Sequence, residues 1–391
     1  MTVRRAIFAA ANAAALVLCA ACSSMPSMNP VDWFSSGPSG PKPSELPVLS
    51  NAQGVKQLWS TGIGAAEAFV FAPALAGDSV YVASRSGNVA RLDASSGKQI
   101  WRVAAGTRLS GGVGSDGALV VVASDEGEVV ALDAESGVLR WRARVSSEVL
   151  AAPKLGEGLV LVRSADSRIF AFGAQDGKRR WVYQRAAASL IVRSPVGLTI
   201  HQGSVYAGYS GGKLVAISMS NGVARWESTV ALPKGSTELE RVTDIVGEPA
   251  ALGREICAAA YQGRVACYDA LSGNQIWTRE MSTLAGVSFD ARYAFVSDEK
   301  GAVHALDRGN GRSIWKQDRL AYRQLSLPLP LGTEVAVSDL QGYVHFLARE
   351  SGAFLARAAT DGSAIRAAPI KLPDGFLVQT QNGGLYALSL N

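Results

Sequence analysis

Cysteine and histidine are scarce in this chain: four cysteines and three histidines in 391 residues. His201, His304 and His345 do not stand at ligand spacing, which argues against a metal site. His304 and His345 occupy the same slot in successive repeats (Ala302-Val303-His304 and Tyr343-Val344-His345), as expected of a strand position that tolerates several residue types. No serine elbow, phosphate loop or cysteine–histidine pair occurs, so no catalytic residue is assigned and no cofactor is expected. Lys and Arg are scattered through a chain of formal charge +5, without the basic tract that marks nucleic-acid binding. The apolar run Ala6–Leu18 is 13 residues long, too short to span a bilayer.

What the chain does have is a repeated phrase. Leu92-Asp93-Ala94-Ser95-Ser96-Gly97 runs on to Trp101, and Leu132-Asp133-Ala134-Glu135-Ser136-Gly137 runs on to Trp141. The phrase returns at Tyr268–Trp277 and Leu306–Trp315, and more weakly at Phe172–Trp181 and Ile217–Trp226. A copy over Leu347–Ala356 keeps Ser351-Gly352 and has alanine in place of tryptophan. A fixed period of about 40 residues indicates an array of similar supersecondary units.

Between two tryptophans the pattern is one of strands. Ala118–Ala123 is a continuous apolar, β-branched run between Ser115-Asp116-Gly117 and Asp125-Glu126-Gly127, which reads as a buried strand between turns. Glu128–Asp133 is the next strand, and Val138–Trp141 opens another. About four short strands per unit, with no helical periodicity, predict an all-β fold, a β-propeller of four-stranded blades. The anchors Trp59, Trp101, Trp141, Trp181, Trp226, Trp277 and Trp315, with Ala356 as the eighth equivalent, make eight blades. Leu58-Trp59 has no preceding strands of its own, and the chain ends where a tryptophan strand is due. Circular closure follows: the N-terminal strand completes the last blade and removes the exposed edges. The tryptophans are read as packing devices between blades. Asp93, Asp133, Asp269 and Asp307 are read as turn formers, because a carboxylate beside Ser-Gly accepts backbone hydrogen bonds.

The first residues read as an address. Arg4-Arg5, the short apolar run and Leu18-Cys19-Ala20-Ala21-Cys22 resemble a lipoprotein signal ending in a lipobox, with Cys22 as the lipidated residue and residues 1–21 as the signal peptide. Loss of Arg4 and Arg5 lowers the formal charge from +5 to +3. Ser23 follows the cysteine instead of the aspartate that resembles an inner-membrane retention signal, which implies outer-membrane sorting. Residues 22–52 carry Pro26, Pro30, Pro38, Pro41, Pro43 and Pro47 among serines and glycines, and read as a flexible tether. The propeller is assigned to residues 53–391. Cys257 and Cys267 flank the turn near Gln262-Gly263; a disulfide and two buried thiols both fit that arrangement.

The repeat resembles the pyrroloquinoline-quinone-type propeller repeat, a family that includes quinone-dependent alcohol dehydrogenases. Those enzymes carry two adjacent cysteines beside the cofactor and an acidic set holding calcium; this chain has no adjacent cysteines and no evident acid cluster. Signal, lipobox, tether and eight units together resemble the BamB family, outer-membrane lipoproteins of the β-barrel assembly machinery. Two tryptophan spacings exceed the usual 38 to 42 residues: 45 from Trp181 to Trp226 and 51 from Trp226 to Trp277. The first insertion contains Ser189-Leu190-Ile191-Val192-Arg193-Ser194-Pro195. The second contains Gly235-Ser236-Thr237-Glu238-Leu239-Glu240-Arg241-Val242-Thr243-Asp244, similar to that family's Gly-Ser-Thr-Glu signature. Insertions in propellers fall in loops, and loops carry partners.

The resemblance implies a non-enzymatic scaffold that docks on the barrel-inserting subunit BamA through Leu190, Val192, Arg193 and Asp244, with Ile191, Arg241 and Glu248 as additional contacts. Some family members have a second aspartate where this chain has Val246. An internal ion pair between Arg193 and Asp244 is the competing, compatible reading. The resemblance further implies other assembly subunits as partners, a membrane held through the lipid anchor at the periplasmic face of the outer membrane, unfolded outer-membrane proteins as clients, and a monomer outside the complex. The alternatives from other classes are a periplasmic quinone-dependent dehydrogenase and a cell-envelope polysaccharide-binding module.

Overall fold

The strands form because the apolar runs of this chain are short, β-branched and cut at regular intervals by Asp, Ser and Gly. In the computed structural model, which describes residues 41–186 and 190–391, they build eight antiparallel four-stranded sheets and, among the described residues, no helix. The signal segment, Cys22 and the first part of the tether lie outside the described residues, as does Ser189. Blades 1 to 7 span residues 74–104, 114–144, 154–184, 198–229, 245–280, 288–317 and 329–359. Blade 8 combines Ile370–Leu372, Gly375–Gln379 and Gly384–Leu390 with the N-terminal strand Val55–Gly62. The innermost strands of blades 8 and 1 are in contact, which closes the ring. The fold is therefore the eight-bladed propeller expected, closed by the expected strand.

The second strand of each blade is covered on both faces by neighbouring blades, which is why it reads as an unbroken apolar run. Leu119–Ala123 and Tyr293–Ser297 are buried throughout. The core is accordingly divided into clusters lying between adjacent blades, such as Phe71, Tyr81 and Val89 of blade 1 and its lead-in with Val120, Val122 and Val130 of blade 2.

The tryptophans fasten blade to blade. The Trp59 indole N–H donates to the Ala94 carbonyl at 3.0 Å, Trp101 to Ala134 at 3.1 Å, and Trp141 to Ala174 at 2.8 Å. Trp181, Trp226, Trp277 and Trp315 donate to Met219, Ala270, Arg308 and Arg349 in the same way. Each of the eight outer strands carries a β-bulge at this point, including the one bearing Ala356. A bulge re-aims a side chain locally. The ring then lies over the glycine of the next blade's turn. Gly177 has φ +63°, and a Cβ there would sit 2.7 Å from the Trp141 ring. The turn itself is tied by its aspartate: Asp133 Oδ1 accepts from the Ser136 amide at 2.8 Å. Hydrogen bonds from Ser95 and Ser96 likewise hold Asp93 at about 2.

His304 and His345 do share one slot, and the slot has a job: each Nε2 meets the aspartate of its own turn, Asp298 at 2.9 Å and Asp339 at 3.0 Å. Cys257 and Cys267 are register partners in adjacent strands, with their sulfurs bonded.

One boundary differs from expectation. Residues 43–52, assigned above to the tether, belong to the same compact unit as the propeller, which begins at Pro43. The Ser44 amide donates to Ala321 and the Gln53 amide to Leu355, at 2.9 and 2.8 Å. Arg323, 2% exposed, donates to the Ser44 carbonyl at 2.9 Å and to Asp339 at 2.6 Å. Arg357 donates to the Pro47 carbonyl at 2.8 Å. Prolines suit this role because an extended strap leaves carbonyls free to accept from arginines. Gln53 and Val55 lie beside Leu355, next to Ala356, the one equivalent position without a tryptophan.

Two expectations follow. Gly177→Ala meets both the Trp141 ring and an unfavourable φ, and lowers stability by about 2 kcal/mol or more. Gly158→Ala, with φ +75° and nothing within 4 Å of the added carbon, incurs only the backbone part, about 1 kcal/mol; denaturant unfolding of the two variants measures the difference. Removing residues 43–53 while keeping the strand Val55–Gly62 lowers the thermal midpoint without loss of β-sheet circular dichroism.

Candidate functional site

Strand order fixes which loops share a rim. In an up-and-down blade the connection between the second and third strands and the connection to the next blade emerge at one end. The Asp-Ser-Gly turns emerge at the other. Both long insertions are blade-to-blade connections: residues 185–197 lead from blade 3 to blade 4, and 230–244 lead from blade 4 to blade 5. They therefore stand side by side on the rim opposite the tryptophan-covered turns.

Their contact is made by backbone and carboxylate. Asp244 Oδ2 accepts from the Val192 amide at 2.6 Å and also receives the Gly211 amide. Asp244 is 5% exposed. Burial pushes its carboxyl pKa up, against the downward pull of those two amides and of Arg163. The Asp244 contact thus holds the first loop in place, and its neighbours Leu190 and Ile191 stay on the surface, 45% and 41% exposed. Large exposed apolar side chains side by side on a loop suit a partner surface better than a core.

Arg193 does not pair with Asp244. It reaches Glu148, on the connection between blades 2 and 3, with Nη2 at 2.7 Å from the carboxylate. Its guanidinium also lies 5.6 Å from the centre of the Phe69 ring, on the connection into blade 1. The Arg85 guanidinium also lies over the Phe69 ring, 4.4 Å from its centre. Loops from non-adjacent blades thus converge on Arg193. The Arg193 side chain is 57% exposed, and exposed ion pairs contribute about 0–1 kcal/mol, so this pair orients the guanidinium more than it stabilises the fold.

The remaining candidates are more dispersed. Arg241 is exposed, with its amide donating to Thr237 in a turn where Glu240 caps the Ser236 and Thr237 amides. Glu248 is exposed and paired with Lys154 at 2.8 Å. Val246 is 1% exposed within a strand, so the position where some family members carry a second aspartate is here a core position. Three participants had no signal in the sequence: Glu148, Phe69 and Arg163. Arg163 and Tyr209 line, together with Val192 and Asp244, a pocket of about 180 Å³.

With this geometry in place, similarity decides the family. The family model described as outer membrane protein assembly factor BamB matches residues 44–108 and 85–317. The protein of that name from Bordetella pertussis is 42% identical over 359 residues, covering 92% of this chain and 93% of its own. The chain belongs to the BamB family. The crystal structure of BamB from Moraxella catarrhalis superposes with a TM-score of 0.79 at 27% identity, covering 86% of this chain and all of that one. A quinohemoprotein alcohol dehydrogenase from Pseudomonas putida superposes at 0.67 with 13% identity, covering 86% of this chain and 76% of its own. That likeness is one of fold alone.

Asp244 supplies a test of this site. An acid whose folded pKa is raised contributes stability only below its unfolded pKa, and that contribution is lost as the pH rises through the folded value. At neutral pH the buried charge is a cost. Asp244→Asn keeps an acceptor for the Val192 amide and removes that charge. Its thermal midpoint at pH 7.5 equals or exceeds that of the parent, and the difference shrinks towards pH 4, as read by differential scanning calorimetry.

Proposed function

We propose that this propeller is a non-enzymatic scaffold subunit of outer-membrane β-barrel assembly, held to the outer membrane by lipidated Cys22 and docked on BamA through the rim that carries the two long connections. Membership of a family of outer membrane protein assembly factors supports the assembly role. The observation that carries the docking surface is the pairing of exposed Leu190 and Ile191 with a half-free Arg193, on a loop held by Asp244. Apolar area beside a forked guanidinium is a common composition of interface hot spots.

Two ways of helping barrel assembly differ in which part of the propeller acts. In one, the rim positions BamA's periplasmic domains. In the other, outer blade edges pair with incoming client strands. The outer strand Leu139–Arg144 carries Arg140, Arg142 and Arg144, and Arg179–Gln184 carries Arg179 and Arg180. Charged side chains on an edge strand discourage pairing with another strand. This favours positioning.

A dehydrogenase of the quinone class shares the fold at 13% identity, and this chain lacks the adjacent cysteines of that class. Fold does not carry function across such a distance.

Arg193→Glu sets a carboxylate against Glu148 and removes the exposed guanidinium. The variant keeps the melting curve of the parent. It loses capture of BamA from solubilised outer membranes by about 2 kcal/mol of binding or more. A folded variant that captures BamA as well as the parent contradicts the docking rim.

A further inference from the structure

The pocket behind the docking loop contains polar groups that the fold itself does not use. Arg163 projects from the strand Leu159–Ser164, half-buried, and its Nη1 atom is fully buried with no partner among the described residues. Its guanidinium lies 4.9 Å from the centre of the Tyr209 ring. Tyr209 is 2% exposed, and its hydroxyl also has no partner among the described residues. The Ser194 hydroxyl, on the docking loop, is a third such group, and all three line the same pocket. Buried arginines in proteins are ordinarily paired, because an unpaired buried donor loses its hydration without replacement. Arg323 in blade 7 illustrates the ordinary case, with Asp339, Gln341 and the Ser44 carbonyl as partners.

The other charged groups around this pocket are already engaged. Glu148 is taken by Arg193. Asp244 is capped by the Val192 and Gly211 amides. Arg185, whose guanidinium lies 5.3 Å from the centre of the Tyr209 ring, is paired with Glu227. Arg163 makes no ion pair or hydrogen bond among the described residues, the Asp244 carboxylate acting on it only through space, and the two hydroxyls of the same pocket can donate alongside it. Three donors lining one pocket of about 180 Å³ are the groups that a carboxylate accepts from. The loop that presents Leu190, Ile191 and Arg193 lines part of the pocket, through Ile191, Val192, Arg193 and Ser194.

We propose that this pocket receives a carboxylate side chain, aspartate or glutamate, of the polypeptide that docks on the rim, with Arg163, Tyr209 and Ser194 as its donors. The inference rests on the docking reading given above and adds the chemistry of the partner's central residue. It separates the roles of the two arginines. Arg193 is the exposed group that steers and orients, and Arg163 is the half-buried group that selects a carboxylate over an amide.

The test uses a probe that does not depend on BamA. The isotope-labelled soluble chain is titrated with N-acetyl-glutamate N-methylamide and, separately, with the matching glutamine compound. Amide resonances of Val192, Ser194, Tyr209 and Gly211 are followed. Saturable shifts with the glutamate compound at millimolar concentration, at least tenfold weaker with the glutamine compound and lost in Arg163→Met, are the expected result. Equal responses to the two compounds, or no saturable response, would overturn the proposal. If Arg163→Met does not fold, Tyr209→Phe decides: it removes one hydroxyl, and binding must weaken several-fold, whereas an unchanged titration contradicts the assignment. Capture of BamA by the unmodified chain is scored in parallel. Glutamate binding without capture removes the docking reading, and capture without glutamate binding removes the pocket.

Discussion

Every blade but the seventh is fastened to its successor by one tryptophan, whose indole N–H reaches a carbonyl of the following blade's turn while its ring covers the glycine of that turn. The glycine is required twice, by its positive φ and by the absence of a Cβ under the ring. Burial of an aromatic surface of this size contributes on the order of 2 kcal/mol or more per junction, and seven junctions carry it. The eighth has alanine at position 356, and there the chain uses its own N-terminal segment, through Gln53 and Val55, beside the strand that closes the ring. The strap thus links the closure of the propeller to the chain that leads back towards Cys22.

Because one rim is held by these junctions, the opposite rim is free to carry long connections. That division explains where unfavourable groups are tolerated. Asp244 is buried with a raised pKa, and Arg163 has a buried nitrogen without a partner among the described residues. The buried charge of the one and the unpaired donor of the other each cost stability at neutral pH. Both lie within one pocket on the rim with the two insertions, and departures from local optimisation of this kind concentrate at functional sites. On the other rim the polar groups are satisfied locally, as in the Asp133–Ser136 turn.

The fold was legible because its information is periodic. The phrase ending in tryptophan gave blade number, strand order and closure without any long-range contact being known. The position of the two long connections was legible from spacing, since 45 and 51 residues stand out against 38 to 42. The partners of Arg193 were not. Glu148 and Phe69 lie 45 and 124 residues away in sequence and meet Arg193 only because the ring brings loops of different blades together. The strap was misplaced for a different reason: a Pro- and Ser-rich stretch has the composition of a linker, and its docking depends on Arg323 and Arg357, far along the chain. Arg163 left no trace, because one arginine in a strand says nothing about whether its charge is matched.

We propose that the rim bearing the long connections is the docking face and that the rim of tryptophan-covered turns is structural. In-cell photocrosslinking tests it most directly, with a photoreactive amino acid placed at Leu190 on one rim or at Val138, 63% exposed on the other. A crosslink to BamA from position 190 and none from position 138 is the expected result. A crosslink to BamA from position 138 with none from position 190 would contradict it.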